Sequence, residues 1–154
     1  MKQEESLFLS GVLVFAYGSN MCPEQMVKRC PAAEVVGVGV LAGHTLVFPR
    51  WSKRWKGGVA GIARSSVDSN VEGIVWKISE EDLINLDRFE GFKATRPVDQ
   101  NSYNRVPMEI TLLPNRKISC EVYVAVALGD YLPSQAYLGK IHKGQEFILR
   151  LKNG

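Results

Sequence analysis

Val12 to Tyr17 form an unbroken apolar run, β-branched and aromatic, that ends at Gly18-Ser19-Asn20. Such a run is too short for a membrane span and reads as a strand buried on both faces. Pro23 suits the first position of a helix running to about Arg29, and Pro31 stops it, so the local unit is strand, tight loop, helix N-terminus. Further strands are predicted at Glu34 to Val40, His44 to Phe48, Gly58 to Arg64, Val71 to Ile78, Tyr103 to Leu112 and Ile118 to Leu128, separated by Gly, Asn, Ser and Pro signals. Asn115-Arg116, preceded by Pro114, predicts a hairpin between the last two and hence a largely antiparallel sheet.

Two more helices complete the pattern. One covers about Glu80 to Glu90: Ser79 can cap it, Asp82 lies three residues on, and Ile78 and Leu83 occupy hydrophobic-staple positions. Leu83, Leu86 and Phe89 give it an apolar face, and Gly91 follows as a C-terminal cap. The other is predicted from Pro133 through Tyr137 to about Lys143, with Gly144 ending it. No internal repeat and no low-complexity segment is visible.

The 154 residues lack a linker, so the reading is one domain over residues 1–154 of mixed α/β class. With 45% hydrophobic and 23% charged residues, fibrous and disordered classes are excluded. The net charge is +3, all of it from residues 1–77, with 9 basic against 6 acidic, while the rest balances at 10 and 10. That is too small to imply nucleic acid. Lys2 followed by apolar residues from Leu7 resembles a signal peptide, but Glu4 and Glu5 spoil the positive region and Gly18-Ser19-Asn20 is a poor cleavage context, so a cytoplasmic protein is expected. Cys22, Cys30 and Cys120 show no CxxC spacing, and His44 and His142 lie far apart; neither a metal site nor a disulfide framework is expected.

Three places can carry chemistry. The Gly18-Ser19-Asn20 turn before a helix can aim backbone N–H groups and a helix dipole at a carboxylate or phosphate, with Gly18 admitting a ligand to the backbone; many strand-to-helix turns use the same residues for no such purpose. Glu90 falls at a helix C-terminus, where the dipole disfavours a carboxylate, and burial beside Phe89 and Phe92 would raise its pKa toward that of a proton-transfer group. The plainer alternative is a solvated glutamate on a helix rich in acids. Arg50-Trp51-Ser52-Lys53-Arg54-Trp55-Lys56 joins four cations and two Trp, which suits a nucleic-acid backbone, a basic loop over an acidic substrate pocket, or a solvated loop with Trp anchored in the core. Base rates favour the last. Tyr103, Tyr123 and Tyr137 are read as packing aromatics whose hydroxyls need partners.

Five blocks together resemble the gamma-glutamylcyclotransferase family: Tyr17-Gly18-Ser19-Asn20-Met21, Trp55-Lys56-Gly57-Gly58-Val59-Ala60, Val71-Glu72-Gly73-Ile74-Val75-Trp76, Leu86-Asp87-Arg88-Phe89-Glu90-Gly91 and Pro133-Ser134-Gln135-Ala136-Tyr137. They occur in that family's order. The resemblance implies a mixed α/β (α+β) fold with a curved, barrel-like, largely antiparallel sheet and a few flanking helices. It implies Glu90 as catalytic acid and base, and Tyr17, Gly18, Ser19, Asn20, Met21 and Tyr137 around the substrate. The implied reaction closes the glutamyl α-amine of a gamma-glutamyl amino acid onto its own side-chain amide, giving 5-oxoproline and a free amino acid. No metal or cofactor is implied; the implied partner is a small gamma-glutamyl molecule rather than nucleic acid or membrane, and a homodimer stays open. Relatives acting on gamma-glutamylamines typically carry Gly-Thr-Leu in the loop and those acting on glutathione Gly-Ser-Leu, so Asn20 favours the gamma-glutamyl amino acid type. Phe147 to Gly154 departs from the longer C-terminal region expected. A gamma-glutamylamine cyclotransferase and a non-catalytic anion-binding module on the same fold are the alternatives.

Overall fold

The structure is a computed structural model and is described for residues 11–154. The expected buried strand starts inside this range; its Leu7 to Ser10 extension and the leader-like residues lie outside it. Seven strands and three α-helices follow: β1 (Val12–Ala16), α1 (Pro23–Arg29), β2 (Glu34–Ala42), β3 (His44–Ser52), β4 (Gly57–Arg64), β5 (Asn70–Ile78), α2 (Glu80–Phe89), β6 (Tyr103–Leu112), β7 (Arg116–Ala125) and α3 (Gln135–Asn153). Single 3-10 turns occupy Ser19–Met21 and Val98–Gln100.

Five strands close a barrel in the order β1-β5-β2-β6-β7, and β3 with β4 form a separate two-stranded ribbon. Neighbours are antiparallel except β1 and β7, the parallel pair that closes the barrel at Val14 opposite Glu121. The mixed α/β barrel is the architecture that the sequence motifs imply. Val14, Phe15, Ile74, Val75, Ile110 and Val122 are at most 2% exposed; successive residues of a strand point to opposite faces, so the adjacent pairs Val14-Phe15 and Ile74-Val75 are covered both inside the barrel and on its outer side. The continuous apolar run of β1 is therefore a consequence of burial on both faces.

Several boundaries differ from those predicted. The β6–β7 register pairs Leu112 with Arg116, so the hairpin loop is Leu113-Pro114-Asn115 and Arg116 already belongs to a strand. β3 runs on to Ser52 because its ribbon partner β4 continues the pairing at Trp51 with Gly58, while β7 ends at Ala125, opposite Tyr103 where β6 begins. Gly144 does not end the last helix. It sits inside α3, where an added Cβ would stand 2.3 Å from the Met21 Cβ, so the glycine serves close packing of α3 on the loop after β1. Phe147 then stacks on Trp76 with ring centroids 6.0 Å apart, and Ile148 is buried. The C-terminal residues thus continue the helix and pack on the barrel. Among the described residues, no helix is long and apolar enough to cross a membrane.

Candidate active site

A cavity of about 350 Å³ opens where β1 gives way to the Gly18 loop, walled by the ends of α2 and β6, by the β3–β4 turn and by the start of α3. Of the residues singled out from sequence, Tyr17, Gly18, Ser19, Asn20, Glu90 and Tyr137 all line it. Met21 does not. It is 3% exposed and its side chain packs under Gly144 of α3, so of the loop residues expected around the substrate Met21 alone stands outside the lining.

The end of α2 explains how Glu90 enters the cavity. Ser79 caps the start of the helix by accepting from the Asp82 N–H at 3.0 Å, as its sequence predicts. At the other end Gly91 adopts φ +66°, and the N–H groups of Gly91 and Phe92 return to the carbonyls of Arg88 and Asp87 at 3.2 and 2.9 Å. This is the paired-bond ending that a left-handed glycine permits. It leaves Glu90 as the last residue with helical backbone, turned toward the β1 loop.

Asn20 receives it. Its Nδ2 donates to Glu90 Oε1 at 2.7 Å, while its Oδ1 accepts from Arg29 Nη1 at 2.9 Å and Gln25 Nε2 at 3.2 Å. Its carbonyl accepts from Trp76 Nε1 at 3.1 Å, so backbone and amide are both fixed. Gln25 and Arg29 stand four apart on α1 and therefore share one face, with Gln25 also donating to Ser19 Oγ at 2.7 Å. Both are buried. Sequence reasoning passed over them, although two polar residues at helical spacing directly after the loop were the available signal.

Burial raises the Glu90 carboxyl above its ordinary range; the nearby Arg29 charge and the Asn20 bond oppose this, and Asp87 adds to it. Glu90 as a residue is half-buried and lines the cavity. The expected solvated glutamate is not what the fold produces. Four phenols surround the site, and burial is the first cause that pushes each of them up, Tyr137 to about 12. All four stay protonated near neutrality. Tyr17 Oη donates to the Tyr123 carbonyl at 2.5 Å, Tyr103 Oη to the Ala60 carbonyl at 2.6 Å, and Tyr123 Oη to Asp87 Oδ1 at 2.6 Å. Tyr103 and Tyr123, read from sequence as packing aromatics, thus also wall the cavity.

Tyr137, in the first turn of α3 behind the Ser134 cap, accepts from the Ala60 N–H at 2.9 Å. Its Oη would lie 2.9 Å from a Cβ at Gly18, and Ala60 Cβ would lie at 3.0 Å. The space freed by Gly18 is therefore taken by protein, not left for a ligand. The Met21 and Cys22 N–H groups are spent on the Gly18 and Ser19 carbonyls at 3.1 Å each, which limits the loop's anion contacts to residues ahead of Met21.

The basic segment is the end of β3 and the β3–β4 turn, and Arg50, Trp51, Ser52, Lys53, Arg54 and Trp55 line the cavity. Of the three readings open from sequence, a loop over the pocket is the one the fold produces. Trp55 is anchored edge-on to Tyr137 with centroids 5.3 Å apart, whereas Trp51 is 53% exposed.

The family model for gamma-glutamyl cyclotransferase, AIG2-like, matches residues 14–142. The gamma-glutamylcyclotransferase of Mus musculus is 31% identical over 151 residues, 91% of this chain and 77% of that protein. The Bos taurus protein of the same name is 34% identical over 131 residues, 81% of this chain and 65% of its own, so this chain spans just under two thirds of the bovine relative. A solved gamma-glutamyl cyclotransferase superposes with a TM-score of 0.78 at 29% identity, covering 92% of this chain and 86% of the other. A yeast cyclotransferase specific to glutathione shares the fold at a TM-score of 0.57 and 15% identity. With that match running from the barrel's first strand into α3, across the loop, the glutamate and the tyrosine that meet in the cavity, the chain belongs to the gamma-glutamyl cyclotransferase, AIG2-like family.

Proposed function

We propose that the protein converts gamma-glutamyl amino acids to 5-oxoproline and the free amino acid, with Glu90 as the group that moves the proton. The observation that carries this is a carboxyl in a small cavity, raised by burial and oriented by a fixed amide. The nucleophile of such a substrate is already attached, so catalysis consists of folding the glutamyl chain and relaying protons. The α-ammonium gives one proton to Glu90 and its nitrogen attacks the side-chain carbonyl carbon. The carbonyl becomes an oxyanion, which hydrogen-bond donors stabilise. Glu90 returns the proton to the leaving nitrogen, the C–N bond breaks, and the lactam nitrogen sheds its second proton as the released amine takes up another.

Tyr17 and Asn20 enter this reading as structural supports, since their polar atoms are committed to Tyr123, Glu90, Arg29 and Gln25. Gly18, Ser19 and Tyr137 shape the wall against which the glutamyl part lies. A cation-rich rim suits a leaving group that carries a carboxylate better than an uncharged or basic amine, which sets the gamma-glutamylamine alternative second. A cytoplasmic location and a small-molecule partner without nucleic acid accompany the proposal. The test is incubation of the purified protein with a panel of gamma-glutamyl amino acids and gamma-glutamylamines, following 5-oxoproline. Release from the amino acids is the expected result; release only from the amines supports the alternative, and no release from either supports the binding module.

A further inference from the structure

The cavity gathers five cations, Arg29, Arg50, Lys53, Arg54 and Arg88, around the single carboxylate Glu90. Among the described residues, none of the five makes an ion pair; the side-chain pairs found lie elsewhere on the surface and barrel. Three of them are nevertheless held in place, and by neutral groups. Arg29 is bonded to the Asn20 amide at 2.9 Å and lies 4.6 Å from the centroid of the Phe89 ring. Arg54 lies 5.6 Å from the centroid of the same ring, which is 47% exposed. Arg50 Nη1 donates to the Val126 carbonyl at 2.8 Å.

Neutral anchors fix a guanidinium without cancelling its charge. The charges also feel one another and the interior: burial first, and then Arg54, lower the Arg29 pKa against the pull of Glu90, and Arg50 acts on Tyr103 in the cavity wall. Positioned cations kept apart from carboxylates repel, and an anion bound among them relieves the repulsion. A gamma-glutamyl amino acid with a neutral side chain brings two carboxylates and one ammonium. Those carboxylates leave part of the rim unmatched, since Glu90 offsets only one of the five cations.

We infer that the cavity selects gamma-glutamyl substrates whose leaving amino acid is itself acidic, with Arg50 and Arg54 as the specificity-determining residues. The inference rests on the cyclotransferase reading above and names the substrate class within it. Arg50 and Arg54 act on binding. Glu90 still carries the proton, so their loss is expected in KM while kcat is retained.

The decisive pair of substrates is gamma-glutamyl-glutamate and gamma-glutamyl-glutamine, which match in size and differ by one charge. The unmodified protein is expected to turn over the acidic one with a kcat/KM about tenfold higher or more, with the ratio shrinking as salt rises. Arg54→Gln, at an exposed position, and Arg50→Gln are each expected to cut that ratio several-fold through KM. Equal kcat/KM for both dipeptides in the unmodified protein, or a ratio that survives both substitutions, overturns the inference while leaving the cyclotransferase reading intact. Absence of 5-oxoproline from every gamma-glutamyl compound overturns both.

Discussion

The side-chain amide of Asn20 donates to Oε1 of Glu90 at 2.7 Å across 70 residues of sequence. Two donors, from Arg29 and Gln25, occupy the amide oxygen and so leave only the NH2 end to face the carboxyl. The loop after β1 and the end of α2 are joined through this bond, which places the Glu90 carboxyl against the cavity wall.

Glu90→Gln is expected to lower kcat on the order of 100-fold or more, because an amide cannot relay a proton. The fold is expected to persist, since the Gln carbonyl still accepts from Asn20. Stability provides a second readout. Burial raises the carboxyl, so the folded chain holds this proton more tightly than the unfolded one; the associated stability is complete below the ordinary carboxylate pKa of about 4.3 and is lost as pH rises through the folded value. The variant is therefore expected to be the more stable protein near pH 7, with the difference vanishing in acid. Denaturation midpoints at the two pH values check this, and a less stable variant at pH 7 contradicts it.

Asn20→Asp keeps an acceptor for Arg29 and Gln25 but sets a second carboxylate against Glu90. Like charges raise the pKa of such a pair. The acidic limb of the kcat/KM profile, where Glu90 must be ionised to act as base, is expected to move to higher pH, with activity at pH 7 down about tenfold. A pH profile of the variant decides the matter; an unmoved limb would mean that Asn20 does not set the protonation of Glu90.

Gly18→Ala would bring a Cβ to 2.9 Å from Tyr137 Oη and 3.0 Å from Ala60 Cβ. Overpacking of this kind costs about 1–3 kcal/mol, and displacing Tyr137 also breaks its bond with the Ala60 N–H. Adding Tyr137→Phe removes the hydroxyl in question. The double variant is expected to be more stable than the two single effects predict, by at least ~0.5 kcal/mol in a thermodynamic cycle. Strict additivity would show that the Gly18 contact is not limiting.

Gly144→Ala should lose about 1–3 kcal/mol for the same reason, since its Cβ would stand 2.3 Å from the Met21 Cβ. Met21→Ala retains that Cβ but removes the longer side chain, whose Cε would be 3.1 Å away, and so gives the loop freedom to yield. We expect Gly144→Ala also to reduce turnover, because Met21 closes the loop that carries Asn20, and we expect Met21→Ala to soften the stability loss. Full activity in a destabilised Gly144→Ala protein would uncouple α3 packing from the site.

Local chemistry was enough for the strands and for the helix ends. The apolar run of β1, the Ser79 cap and Gly91 are each readable because burial on both faces, an orphan N–H group and a left-handed backbone demand particular residue types nearby in the chain. The barrel, and the meeting of Glu90 with the Gly18 loop in one cavity, were legible through blocks of residues that resemble a family, since neither follows from periodicity. Other features depended on distant partners. Gly144 reads as a helix stop until Met21 is brought beneath it, and Met21 reads as part of the pocket until α3 covers it. The basic turn reads as solvated until the β3–β4 ribbon lays it beside Phe89. Arg29 and Gln25 acquire meaning only where the closed barrel holds the end of α2 against the β1 loop. Sequence by itself determined which segments are strands and helices and which residues can carry a proton or bend the backbone, because those properties belong to single residues and their near neighbours. Tertiary structure alone decided which of those residues meet, because a hydrogen bond across 70 residues and the charge of a cavity wall are set by packing between elements, which no local pattern encodes.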